Sequence, residues 1–235
     1  MNYKGGKNAS GIYQRIINQI PPHTTYIEPF LGSGAIMRLK KPAIVSIGID
    51  VDMNVIKQWE DWGAGHLATH GDAISFLSSY DWQGDEFVYC DPPYIMSTRS
   101  HQKPLYRHEF CTEEEHAELL KVLKSLPAMI AISGYKSGLY DKMLKDWRVI
   151  SYQTRTRGGT VVTEYLWMNY PQPFELHDYS YLGDNYRERE TIRKQQKRWR
   201  RMLAEMPALK RLALLDVIQS ARQIEQRDSG RHHHE

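Results

Sequence analysis

Between residues 25 and 170, short apolar runs rich in β-branched and aromatic residues alternate with longer amphipathic, charge-bearing stretches. That alternation predicts a parallel sheet covered by helices. Runs at 25–28, 44–49, 87–90 and 129–133 are close to continuous in hydrophobicity, as strands buried on both faces are. Two further runs, 148–154 and 164–169, flank Arg155-Thr156-Arg157-Gly158-Gly159-Thr160. The glycine pair there supplies turn geometry and predicts an antiparallel hairpin at the end of the sheet. The gaps predict helices over 9–20, 35–40, 54–62 and 112–126. In the last of these, Thr112 and Glu115 stand at capping-box spacing and Pro127 closes the element.

After Tyr170 the pattern changes. Pro171-Gln172-Pro173 breaks the chain, tyrosine and aspartate dominate as far as Tyr186, and a strongly basic helical stretch follows. Leu209, Leu212, Leu215 and Ile218 mark a second helix beyond Pro207. The expected organisation is an α/β domain over residues 1–175 with a basic helical extension over 176–228. Residues 229–235, which hold His232-His233-His234, read as a purification-tag remnant.

The length of 235 residues leaves room for one well-packed domain and an appendage. With 41% hydrophobic and 25% charged residues and a mean hydropathy of −0.60, the chain has the composition of an ordinary globule. No apolar stretch approaches the ~20 residues of a membrane span, and the first residues carry no secretory signature. A cytoplasmic protein with no membrane partner is expected, with Cys90 and Cys111 as free thiols. Charge changes this picture. Residues 187–201 hold eight Lys or Arg against two Glu, a local charge of +6, so the remainder of a chain of net +3 is left at −3. A mildly acidic body with one basic element points to a polyanionic partner.

The first chemical signal is Tyr26-Ile27-Glu28-Pro29-Phe30-Leu31-Gly32-Ser33-Gly34-Ala35, a strand that runs through a Gly-rich turn into a helix. Backbone can approach a ligand closely at such a turn. The next strand ends at Ile49-Asp50, about 20 residues on, where an acidic side chain in a dinucleotide-type unit accepts hydrogen bonds from ribose hydroxyls. Together they point to a cofactor containing adenosine.

The second signal, Asp91-Pro92-Pro93-Tyr94, follows an apolar strand directly. The two prolines fix φ and remove two amide donors, which leaves backbone carbonyls available as acceptors. A carboxylate, a fixed carbonyl and an aromatic ring thus converge at a strand's C-terminal end, where open α/β sheets bind ligands.

With Tyr3-Lys4-Gly5-Gly6-Lys7 at the start, these motifs and their order resemble the Dam-type, alpha-class family of DNA adenine amino-methyltransferases, which use S-adenosylmethionine. The resemblance covers roughly residues 1–170. It implies a Rossmann-like doubly wound sheet with an extra antiparallel strand, and Tyr3, Lys7, Phe30, Leu31, Gly32, Ser33, Gly34, Asp50 and Val51 around the cofactor. Asp72 and Ala73 would meet its adenine, Asp91 would line the same cofactor site, and Asp91, Pro92, Pro93 and Tyr94 would be catalytic. The chemistry wants these residue types. Adenine's exocyclic nitrogen is a poor nucleophile until its lone pair is localised, which two hydrogen-bond acceptors on its hydrogens achieve. No metal is needed, and His101, His108, Cys111 and His116 match no common zinc spacing. The target base must be flipped out of a duplex, with Tyr94 as the ring on which it stacks.

One departure stands out. Family members usually carry a target-recognition insert between the Gly-Asp motif and the catalytic motif, whereas here 18 residues separate Asp72 from Asp91. Either recognition is short and relaxed or it lies elsewhere. The candidates for nucleic-acid contact are Arg99, Lys103 and Arg107 in the loop after the catalytic motif, Arg155 and Arg157 at the hairpin tip, and Arg193, Lys197 and Arg200 on one face of the basic helix. Each also has a plain reading as solvated surface. The expected protein is a DNA adenine methyltransferase, monomeric or weakly dimeric. An RNA adenine methyltransferase, a cytosine amino-methyltransferase and a non-catalytic nucleic-acid-binding subunit are the alternatives.

Overall fold

The computed structural model describes residues 7, 11–60, 66–98, 110–155 and 159–231. Seven strands form one sheet: β1 (Thr25–Glu28), β2 (Val45–Asp50), β3 (His66–His70), β4 (Glu86–Cys90), β5 (Met129–Gly134), β6 (Arg148–Arg155) and β7 (Val161–Met168). Their order is β3-β2-β1-β4-β5-β7-β6. The first five strands run parallel, and β7 is inserted antiparallel between β5 and β6. The parallel sheet with an antiparallel hairpin expected from the sequence is therefore present.

The central strands show why their sequences are apolar throughout. Alternate residues point to opposite faces, and both faces are covered. Tyr26, Phe87, Tyr89, Ala131, Leu166 and Met168 pack against α1 (Ile12–Ile17), α2 (Ala35–Leu39) and α3 (Met53–Glu60). Their neighbours Ile27, Val88, Cys90, Ile130, Ile132 and Trp167 pack against α4 (Ala73–Ser79), α5 (Glu113–Ser125) and α6 (Gly138–Met143). Helix α5 presents Leu119, Leu120 and Leu123 to that core, each worth roughly 1.5–3 kcal/mol over an exposed leucine. Its capping box forms as expected, with Glu115 N donating to Thr112 Oγ1 at 3.2 Å and Glu115 Oε2 accepting from Thr112 N at 2.9 Å.

Three elements escaped the sequence pattern. Strand β3, His-Leu-Ala-Thr-His, is a half-exposed edge strand without an apolar run. Helix α4 is seven residues capped by Asp72, whose Oδ1 accepts from Ser75 N at 2.8 Å. Helix α6 has six residues and begins on a glycine after the Ser137 cap. Helix α1 starts at Ile12, later than the expected residue 9, because Gly11 takes a left-handed φ of 94° at its N-cap.

Contacts divide the chain into two units, Met1–Leu182 and Gly183–Glu235. Pro171-Gln172-Pro173 ends the sheet but not the first unit. His177 N donates to Ile20 O, Lys41 N donates to Asp178 Oδ2, and Tyr181 OH donates to Leu39 O. The second unit comprises α7 (Tyr186–Glu205), capped by Asn185, and α8 (Ala208–Arg231) after Pro207. Among the described residues no helix is long and apolar enough to cross a membrane.

The Gly-rich turn depends on close packing. Gly34 has φ +55° at the N-cap of α2, and a Cβ there would lie 2.0 Å from the Trp59 ring. Gly34→Ala is expected to cost at least about 2 kcal/mol in urea unfolding, through backbone strain and overpacking together. Gly138→Ala, where a Cβ meets open space, serves as the control and is expected to stay within about 0.5 kcal/mol of the parent.

Candidate active site

The C-terminal ends of the parallel strands meet along one edge of the sheet, and the sequence motifs gather there. Asp91 leaves β4 as Ser133 nears the end of β5, a neighbourhood set by the pairing of Cys90 with Ile132. Ser133 Oγ donates to Asp91 Oδ1 at 2.6 Å. Because that hydroxyl hydrogen is committed, Tyr89 OH is the donor in its 3.2 Å contact with Ser133 Oγ. Lys7 Nζ lies 3.0 Å from the same Oδ1, and Tyr94 OH donates to it at 3.4 Å. Lys7 in turn donates to Tyr94 OH at 2.6 Å and lies 3.2 Å from Glu164 Oε2 on β7. Oδ1 therefore takes three donors, while among the described residues none donates to Oδ2 or to the Pro92 carbonyl.

This cluster is nearly dry: Lys7 is 6% exposed, Asp91 19% and Glu164 9%. Burial raises the Asp91 pKa. Lys7 and the Ser133 hydrogen bond oppose that rise, Glu164 adds to it, and the carboxyl stays above its ordinary value. For Lys7, burial disfavours the ammonium, but Asp91 and Glu164 outweigh that and hold its pKa well above the usual lysine value.

The loop that follows β4 is held from the opposite face. His116 on α5 is 1% exposed, with Nε2 3.0 Å from Pro93 O and 3.3 Å from Phe110 O. Carbonyls only accept, so Nε2 carries a hydrogen and Nδ1 accepts from Tyr140 OH at 2.9 Å. Both ring nitrogens thus serve the loop. Tyr94 meets Tyr135 edge to face at 4.5 Å.

The Gly-rich turn lies beside this cluster. Leu31 N donates to Ile49 O and Gly32 N to Asp50 Oδ2, each at 2.8 Å, and Trp59 Nε1 donates to Gly32 O at 3.3 Å. Asp50 Oδ1 also accepts from Asp52 N at 2.8 Å, so the expected ribose-binding carboxylate also braces the turn. Leu31, Ser33 and Ala73 are buried, Phe30 packs on Phe110, and Val51 and Asp72 are exposed. Glu28, at the end of β1, is buried with Oε2 lacking a hydrogen-bond partner among the described residues. Its pKa is pushed well up by burial and by Asp91. A buried carboxylate oxygen without a donor, next to a left-handed Gly turn, fits a ligand carrying positive charge.

Of the other sequence candidates, Tyr3, Arg99, Lys103, Arg107 and Arg157 lie outside the described residues, as do His101 and His108. Arg155 is exposed at the hairpin end and donates to Gly159 O. Arg193, Lys197 and Arg200 are exposed on α7, where Arg193 pairs with Glu190 at 2.8 Å. Sequence reasoning missed Ser133, Tyr89, Glu28 and Glu164. Only the strand order and register bring the first and last of these to Asp91.

Residues 73–157 match the model of the D12 class N6 adenine-specific DNA methyltransferases, which bears out the resemblance seen in the motifs. That span contains Asp91 through Tyr94; the Gly-rich turn and Asp50 precede it. No curated protein matches the sequence. Among solved structures, PH0851 superposes with a TM-score of 0.50 at 12% identity, over 69% of this chain and 46% of that one. The M. capricolum TrmK in complex with S-adenosyl-homocysteine gives 0.46 at 10% identity, over 92% and 97%. A dimethyladenosine transferase from Plasmodium falciparum gives 0.44 at 15% identity, over 69% and 62%. At such identities the likeness is one of fold alone. The family's cofactor is S-adenosylmethionine.

Replacing His116 by leucine leaves the Tyr140 hydroxyl and two carbonyls without their partner. The expected loss is about 3 kcal/mol or more in urea unfolding, at about 1–3 kcal/mol for each of the three unmet buried groups. His116→Gln, which keeps a donor, is expected to lose less; an unchanged midpoint in His116→Leu would show that the ring does not hold the loop.

Proposed function

We propose that this protein transfers a methyl group from S-adenosylmethionine to the exocyclic amino group of adenine in DNA. The observation that carries this reading is the pair of acceptors left open at the end of β4, Asp91 Oδ2 and the Pro92 carbonyl. An aromatic amine has two hydrogens, and a fixed carboxylate and a fixed carbonyl can take one each. Doing so pulls the nitrogen toward tetrahedral geometry and localises its lone pair for attack. S-adenosylmethionine, when bound, supplies an electrophilic methyl on a sulfonium. The Gly-rich turn and Asp50 provide the backbone approach and the ribose acceptor that such a molecule needs, and the Glu28 carboxyl, held toward its neutral form by burial and by Asp91, is one that a sulfonium's positive charge would favour in its ionised form. Tyr94 offers its ring to the flipped base. Asp91 Oδ2 then holds the proton that the methylated nitrogen sheds. Catalysis on this account is positioning and electrostatics, without a covalent enzyme intermediate.

DNA is favoured over RNA by the matched family. Between Asp72 and Asp91 the chain holds only α4 and a short loop into β4, so sequence recognition there is minimal and specificity is short or relaxed. Affinity for the polymer comes from α7, none of whose residues is buried and which carries the basic run.

Nucleoside mass spectrometry after incubation with matched DNA and RNA tests the substrate. N6-methyladenine is expected in DNA at a large fraction of all adenines, and methylation confined to RNA would overturn the DNA reading. Asp91→Asn is expected to slow transfer by about 10²-fold or more while calorimetric cofactor binding persists; near-normal turnover would remove Asp91 from the chemistry. Reversing Arg193, Lys197 and Arg200 to glutamate together is expected to weaken DNA binding and to lower the salt slope by about 2–3. An unchanged slope would take α7 out of the interface.

A further inference from the structure

Glu164 belongs to none of the motifs, yet it reaches the reaction site through the sheet. On β7 it pairs with Tyr152 of β6, and it shares a face with Leu166 and Met168, the face packed against α1, α2 and α3. Lys7, just before α1, is divided between two carboxylates, at 3.0 Å from Asp91 Oδ1 and 3.2 Å from Glu164 Oε2. Glu164 lies on β7 and Asp91 follows directly on the end of β4, and all three side chains are largely buried.

We propose that Glu164 is a positioning residue that shares Lys7 with Asp91, so that the catalytic carboxylate stays ionised without being neutralised as an acceptor. This rests on Asp91 being the acceptor of the adenine amine. Were Lys7 paired with Asp91 alone, the ammonium would draw off the negative charge that Oδ2 offers the substrate. Were Lys7 missing, Asp91 would face Glu164 with no cation between them and would take up a proton. The remaining groups around Asp91 do not substitute for the ammonium. Among the described residues they are Tyr26 and Glu28 from β1, Tyr89 and Cys90 from β4, Tyr94 in the loop, Ser133 from β5, Tyr140 from α6 and Tyr152 from β6. None of them is cationic.

The two perturbations therefore move Asp91 in opposite directions, which a merely structural contact would not do. The full chain, labelled with carboxyl-13C aspartate, is titrated by NMR, with the Asp91 signal assigned by its loss in Asp91→Asn. In Glu164→Gln the Asp91 midpoint is expected to fall by about one pH unit, and in Lys7→Met to rise by about one to three. Asp91 works when ionised, so the acid limb of the single-turnover rate follows: activity persists to lower pH in Glu164→Gln and is lost at higher pH in Lys7→Met. Glu164→Asp withdraws the carboxylate by one methylene and gives the same downward shift, smaller, should the glutamine variant fail to fold. An Asp91 midpoint unmoved or raised by either Glu164 variant overturns the proposal, as does one unmoved or lowered by Lys7→Met. The titration needs no turnover, so the expected shifts in a protein that methylates no adenine would reject the adenine reading and leave the charge sharing standing.

Discussion

A carboxylate must be ionised to accept an amine hydrogen, and burial works against ionisation. Asp91 is mostly buried, and the surrounding structure is arranged to meet that conflict. Ser133, Lys7 and Tyr94 all donate to, or pair with, one of its oxygens, so the charge is stabilised on Oδ1 while Oδ2 remains open. The Ser133 donor is itself oriented by Tyr89 from the same strand that delivers Asp91. The donors gather on one oxygen, and the other is left without one among the described residues.

The sheet makes this arrangement possible. Parallel strands bring the ends of β1, β2 and β4 to one edge, where the Gly-rich turn, Asp50 and Asp91 are neighbours although they lie up to 59 residues apart in the sequence. The antiparallel insertion of β7 then carries a second carboxylate to the same edge from the other direction. The proline pair after Asp91 frees the carbonyls, and one buried histidine from α5 pins the second of them. The first takes no donor among the described residues. A rigid loop of this kind requires support from both faces of the sheet, which explains why a helix outside the motifs contributes a residue to it.

Much of this was legible in the sequence because its signals are local. Continuous apolar runs mark strands buried on both sides, and the Gly-x-Gly turn and Asp-Pro-Pro-Tyr each state their backbone requirements within a few residues. What stayed hidden depended on distant partners. β3 has the polar composition of an edge strand, with His66 and His70 at its ends, so no periodicity sets it apart. Asp72 reads as a ligand-binding aspartate, yet its Oδ1 also caps a seven-residue helix that no pattern announced. Ser133 and Glu164 are ordinary strand residues until register places them beside Asp91. His116 reads only as a helical residue that matches no zinc spacing, whereas it is a buried brace between Tyr140 and the Pro93 carbonyl.

The central claim is that the amino group of adenine is held between Asp91 Oδ2 and the Pro92 carbonyl. A crystal structure of the protein with S-adenosyl-homocysteine and an adenine-containing oligonucleotide tests it most directly. The account predicts the flipped adenine against Tyr94, with N6 within hydrogen-bond distance of both acceptors. An adenine whose N6 contacts neither of them, or a base seated away from the end of β4, would contradict it.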